Sequence, residues 1–245
     1  MSDVLIAAGP QLAGRVIDRR EVRAGLEEKM ITLLASHFGG VDRATFRDDL
    51  ARKSAVILLE DETRALRGFS TLQIYTSMAP GRPVTIIYSG DTIVDRSCWG
   101  SHALAKTRIH CVREAAANAA TDVYWLLITS GYRTYRFLPV FFRSFYPRFD
   151  EQTPPCQRTL LDAIARERFG DRFDVDAGIV RFPRPQILAG DLLDVPEGRT
   201  KDAHVTFFLE HNPGFVSGDE LVCLTRIHDD NLTPAGRRMA GLPRL

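Results

Sequence analysis

The residues with the most chemistry in them stand between Pro83 and Leu104, in PVTIIYSGDTIVDRSCWGSHAL. An apolar strand pattern there carries one carboxylate, Asp91, two residues after Ser89, then runs into a turn bearing Gly100 and on into a helix. Burial in such a run penalises the charged form of a carboxyl group and raises its pKa, which lets it accept a proton near neutrality. The turn has a second capacity. Amide hydrogens at a helix start lack intrahelical partners and the helix dipole is positive there, so Trp99 to Ala103 is suited to a phosphate or pyrophosphate. The bland alternative for Asp91 is a cap, or an ion pair with Arg133 or Arg136.

Other reactive types are less well placed. Cys98 and His102 lie four apart, a nucleophile and base spacing on a helix, but a helix beginning at Ser101 leaves Cys98 outside it. The six histidines contain no HxH or HExxH pattern. His204 and His211 flank a strand pattern with Glu210 and form the one metal-ligand candidate, without a second anchor. The four cysteines are far apart with no CxxC pair, which fits reduced core thiols.

Composition excludes several classes. The 245 residues carry 32 Lys and Arg against 31 Asp and Glu, so no global field draws in nucleic acid or an anionic membrane surface. No apolar run approaches the ~20 residues that cross a bilayer. The first residues carry Asp3 ahead of a short apolar patch and no basic segment, which predicts a cytoplasmic protein without a leader peptide.

The elements that must position these groups follow from periodicity. Val22, Leu26, Met30, Leu33 and Leu34 recur at helical spacing within 20–38, ended by Gly39–Gly40, and Asp42 caps a second helix over 42–52. Strands are predicted at 54–59, at 67–75 and at 84–94, with Gly90 marking a bulge or a close approach in the third. An alanine-rich helix over 101–120 and a central strand over 122–129 come next. A helix is predicted from Leu138 to before Pro147 and another over 157–169, with a strand at 177–182 and a loop-rich stretch at 186–199. HVTFFLE (204–210) and ELVCLTRI (220–227) read as a terminal strand pair joined by a long turn. Hairpin steps first and a helical crossover later call for an α/β (α+β) fold, a mixed, mostly antiparallel sheet flanked by helices.

This order of elements, with a long strand ending in VDRSCWGSHAL before an alanine-rich helix, resembles the GNAT superfamily of acyl-CoA-dependent N-acyltransferases. The family's V-x-P-x-x-R-G-x-G-x-G-like run holds the pyrophosphate of coenzyme A, and here Val94, Gly100 and the helix start match it. Trp99 stands where the family has Arg or Gln, and His102 and Leu104 stand where it has glycines, so close backbone approach is reduced. Long-chain N-acyl amino acid synthases and acyl-homoserine lactone synthases also depart from that glycine pattern. The resemblance implies a core over 1–149 that binds the acyl donor, and an extension over 150–245 whose helix and strand pair complete the sheet.

It further implies an acyl-CoA or an acyl-carrier-protein phosphopantetheine as donor, no metal, and a small-molecule amine or amino acid as acceptor. The donor phosphate would lie on Val94, Trp99, Gly100, Ser101, His102 and Ala103, with a bulge near Ser89 to Asp91 facing the thioester. Asp91 would be the base, with Glu60 as second candidate, and Tyr135 (or its neighbour Tyr132) the acid for the leaving sulfur. Arg133 and Arg136 would meet phosphate or a substrate carboxylate. Phe137, Phe141, Phe142 and Phe145 would line an acyl tunnel, against the plain reading of core phenylalanines. Two other functions compete: a non-catalytic GNAT-like binding or regulatory module, and a metal-dependent enzyme using His204, Glu210 and His211.

Overall fold

In the computed structural model, residues 11–243 are described. The leader reading falls on residues outside that range. The strands are β1 (Ala13–Asp18), β2 (Phe38–Gly39), β3 (Ala55–Glu60), β4 (Leu66–Ala79), β5 (Arg82–Val94), β6 (Val123–Thr129), β7 (Phe173–Asp174), β8 (Ile179–Val180), β9 (Ile187–Leu188) and β10 (Glu220–Arg226). The helices are α1 (Ala24–Ala35), α2 (Arg43–Ala51), α3 (Ala103–Ala117), α4 (Tyr132–Tyr135), α5 (Phe137–Phe141), α6 (Pro155–Phe169), α7 (Ala203–His211) and α8 (Pro234–Met239).

Eight strands form one sheet in the order β1-β3-β4-β5-β6-β10-β8-β7. Every pairing in it is antiparallel except β5 with β6, the pair joined through the α3 crossover. The residues after Phe149 thus extend the same sheet. Side chains alternate across it, so each strand feeds two cores. On one face Ile57, Leu72, Ile87, Trp125 and Cys223 meet α3 (Ala105, Ile109, Val112) and the aromatic residues of α4, α5 and α7. On the other, Val56, Leu58, Phe69 and Ile93 pack under α1 and α2. On that same face Ile86, Tyr88, Leu126 and Val222 pack under α6.

The sequence reading and the fold part company at three places. HVTFFLE is α7, not a strand, so β10 pairs with β6 and β8 rather than with a hairpin partner. Its aromatic and β-branched residues favour a strand in isolation, but Asp202 accepts from the His204 amide as a helix cap, and Val205 and Phe208 share one buried face. The segment Ala13–Asp18, which carries only two strongly apolar residues, Val16 and Ile17, is an edge strand on β3. The helix predicted from Leu138 is instead the short pair α4 and α5, and Phe142 and Tyr146 continue as single bridges to Leu232 and Leu224.

Candidate active site

The parallel register of β5 and β6 ends at Ser89 with Leu127, although β5 continues to Val94. At that point β5 also slips against β4: Ser70 faces Thr92 and Leu72 faces Ser89, so Gly90 and Asp91 together oppose the single residue Thr71. This is a bulge, with both extra residues turned to the α2 face of the sheet. A Cβ on Gly90 would lie 2.5 Å from both the Lys53 Nζ and the Thr71 Oγ1, so only glycine leaves room for that ammonium. The sheet therefore opens beyond Ser89, with polar groups on both faces.

On the α2 face stand Lys53 and Asp91. Lys53, whose side chain is fully buried, places its ammonium 2.7 Å from Asp49 and 4.7 Å from the centre of the Tyr88 ring. Burial holds its pKa down, against the pull of Asp49 and Asp91. Asp91 is half-buried as a residue, yet desolvation dominates its carboxyl and, with the charge of Asp49, pushes it up to about 6 against the opposing effect of Lys53. Glu220, at the head of β10, is pushed up to about 8 by burial first and by Asp91 second. Two carboxyl groups that resist ionisation and one buried ammonium thus share a small region.

On the α3 face, Arg108 is 1% exposed. Its Nη2 donates to the Ser70 hydroxyl and, at 2.9 Å, to the Thr92 hydroxyl, the pair adjoining the bulge. The Trp125 and Phe137 rings lie 5.2 and 5.4 Å from the guanidinium carbon. Trp125 is fixed by its Nε1, which donates to Ser89 at 2.7 Å.

The turn into α3 is built on Asp95, whose carboxylate accepts from the Ser97 amide and hydroxyl. The Val94 carbonyl already accepts from Trp99 Nε1 at 2.9 Å and from His37 Nε2 at 3.1 Å, so it offers a ligand nothing further in that direction. Ser101 Oγ accepts from the Ala103 amide, and the Lys106 amide reaches His102. Leu104 and Ala105 keep amide hydrogens without an acceptor among the described residues, the arrangement that suits an anion. Trp99 and Gly100 are exposed, and a side chain at Gly100 would meet no protein atom within 4 Å.

A strap from Pro185 to Leu192 lies across this end of the sheet. Its β9 pairs with β2, the Ala189 amide donates to the His37 carbonyl, Asp191 pairs with Arg96, and the Leu192 carbonyl accepts from Arg133 at 3.0 Å. Arg133 stacks on Trp99 and Tyr132 at 4.8 and 4.7 Å, which joins strap and turn.

The remaining predicted residues lie elsewhere. Glu60 is ion-paired with Arg15 at 3.0 Å, which holds its carboxyl below the usual range. It is four residues along β3 from Val56, the partner of Thr71, or about 13 Å at the strand rise. Tyr135 is fully buried, its hydroxyl donates to the Pro147 carbonyl at 3.0 Å, and burial raises its pKa, so its proton is committed within the aromatic core. Arg136 pairs with Asp202 at 2.8 Å. Neither arginine pairs with Asp91, and the cation facing it is Lys53. Phe141 and Phe142 are buried at 9% and 2% exposure, with Phe142 against Trp125 and Phe141 against Phe137, as packed core rather than a tunnel wall. His204 packs on Tyr135, Phe145 and Phe149, and the His211 Nδ1 bonds the Phe207 carbonyl. Among the described residues no three His, Cys, Asp or Glu side chains gather as a metal site. No helix of the described residues is long and apolar enough to cross a membrane.

Lys53, Arg108 and Glu220 did not emerge from the sequence. Arg108 alone left a signal: it stands in the apolar stripe Ala105, Ile109, Val112 of α3, where a charge is out of place.

No family model and no curated protein matches the sequence. Solved structures overlap it in part. A probable N-acyltransferase from Enterococcus faecalis is 13% identical over 54% of this chain and 33% of its own, with a TM-score of 0.41. A GNAT family N-acetyltransferase from Escherichia coli, in complex with CoA, is 14% identical over 53% of this chain and 69% of its own (TM-score 0.38). An acetyltransferase from Trypanosoma brucei is 22% identical over 59% of this chain and 100% of its own (TM-score 0.38). The overlap spans about a third of the Enterococcus chain. The sheet described above is mostly antiparallel, with one parallel pair that opens at a bulge.

Proposed function

We propose that this chain is an N-acyltransferase that moves an acyl group from a coenzyme A or carrier-protein thioester to the amine of a small molecule or amino acid. The observation that carries this reading is the opening between β5 and β6 at the Gly90–Asp91 bulge, with a half-buried carboxyl of pKa about 6 on one face and the start of α3 beyond it. A thioester arm laid in the opening has its phosphate at the free amides of Leu104 and Ala105 and its carbonyl carbon at the bulge.

Amine nitrogen and carbonyl carbon then form a bond on the α2 face, and the carbon–sulfur bond breaks. Asp91, mostly ionised at pH 7, takes the proton the amine loses. Lys53 keeps Asp91 from rising further and so holds it as a base rather than an acid. The leaving thiolate, with an ordinary pKa of about 8.5, takes its proton from solvent, which leaves no task for Tyr135.

The test is release of free thiol from acetyl-, succinyl- and longer acyl-CoA, and from acyl carrier protein, against a panel of amines and amino acids. Acceptor-dependent thiol release that Asp91→Asn abolishes supports the reading. Coenzyme A binding without turnover on any acceptor favours a binding module instead.

A further inference from the structure

Arg108 is a buried cation without an anion. Its charge is sealed under α3, and among the described residues no carboxylate pairs with it, while its Nε has no hydrogen-bond acceptor. Two hydroxyls on one nitrogen and two aromatic faces are its surroundings. Desolvation lowers its pKa only to about 10, so it stays protonated at neutral pH. Such a group costs the empty fold several times what a neutral side chain of its size would, and an apolar residue would complete the stripe of α3. The guanidinium therefore stands ready for a ligand.

Its position narrows the ligand. The Ser70 and Thr92 hydroxyls that hold it adjoin the bulge, so the charge lies beside the place where the acyl carbon would sit. It lies on the α3 face, with the turn from Trp99 to Ala105, whereas Asp91 and Lys53 occupy the other. The donor's side of the opening thus carries a cation without a carboxylate partner, whereas on the other side Asp91 faces Lys53. The Trp125 and Phe137 rings flank the guanidinium, and its Nε keeps a free donor in the guanidinium plane, the approach a carboxylate takes. Phe137 and Phe141, 4.5 Å apart, and Phe142 against Trp125 pack on this side of the sheet, and the closeness of the Ser70 and Thr92 hydroxyls to the bulge sets a short span between the charge and the acyl carbon.

We propose that Arg108 recognises a carboxylate at the far end of the donor's acyl group, so that this site takes the thioester of a short dicarboxylic acid. This rests on the acyl-transfer reading above. Arg108 acts here on the substrate and not on the reacting carbon, and it selects the donor.

The experiment measures calorimetric binding of succinyl-CoA, acetyl-CoA, coenzyme A and free succinate to the full chain, to Arg108→Met and to Arg108→Lys, with melting temperatures of each. A charge-assisted pair predicts that succinyl-CoA binds about 10- to 100-fold tighter than acetyl-CoA. That ratio falls to near one in Arg108→Met and is partly kept in Arg108→Lys, and ligand-free Arg108→Met melts higher than the parent. Equal binding of succinyl- and acetyl-CoA overturns the inference and leaves the acyl-transfer reading standing. Succinate binding that depends on Arg108, without binding of coenzyme A or its thioesters, overturns the acyl-transfer reading and the thioester donor with it, and leaves Arg108 as a site for a free carboxylate. Failure of all probes removes both. A ligand-free Arg108→Met that melts lower, or does not fold, together with equal binding by the parent and Arg108→Lys, makes Arg108 a structural residue and refutes the proposal.

Discussion

Replacing Asp91 by asparagine should make the protein more stable and less active at once. Asp91 holds its proton to about pH 6 in the fold, against an ordinary value of 3.8. Two pKa units are about 3 kcal/mol, so above pH 6 the ionised carboxylate costs the folded state that amount as an upper figure. The cost fades as pH falls from 6 to about 3, where both states are protonated. Asparagine carries no charge and removes it. At pH 8 Asp91→Asn is therefore expected to melt about 6–12 °C higher than the parent for a chain of this size, and at about pH 3 no higher. Loss of a general base lowers kcat by about 10²–10⁴, and the acid limb near pH 6 in the parent's rate profile disappears. Scanning calorimetry at the two pH values and a pH–rate profile check both halves. An Asp91→Asn protein that melts lower at pH 8, or that keeps the acid limb, refutes the placement of this carboxyl and its role together.

Two further substitutions separate the bulge from the turn. Gly100→Val meets no protein atom, so its melting temperature stays within about 1 °C of the parent while donor KM rises and kcat holds, as steady-state kinetics would show. An unchanged KM removes the turn from donor binding. Gly90→Ala drives a methyl group into the Lys53 ammonium and Thr71, and is expected to destabilise by about 1–3 kcal/mol in urea unfolding. Unchanged stability there means that Lys53 does not sit in the bulge.

The bulge itself was legible because Gly90 interrupts a long apolar strand, and Asp91 because a lone carboxylate in such a run has to be explained. The groups that give Asp91 its character were not. Lys53 follows α2 in a charged stretch where a lysine is ordinary, and only the slip of β5 against β4 brings its ammonium under Gly90. Glu220 opens a strand like many an exposed residue, and it becomes half-buried where β10 pairs with β8 beside β6. Tyr135 and the phenylalanines after it follow the strand at a suggestive distance, but their contacts with α7 are set by a helix whose sequence reads as a strand. Local pattern carried the elements and the carboxylate, and long-range packing decided its neighbours.

A crystal structure with a bound coenzyme A thioester tests the central claim most directly. The account predicts phosphate density at the amides of Leu104 and Ala105, the arm between β5 and β6, and the thioester carbon at the Gly90–Asp91 bulge with Asp91 on the opposite side from Arg108. A thioester seated elsewhere, for instance in the open groove of about 960 Å³ lined by Arg148, Lys201 and His211, would contradict it.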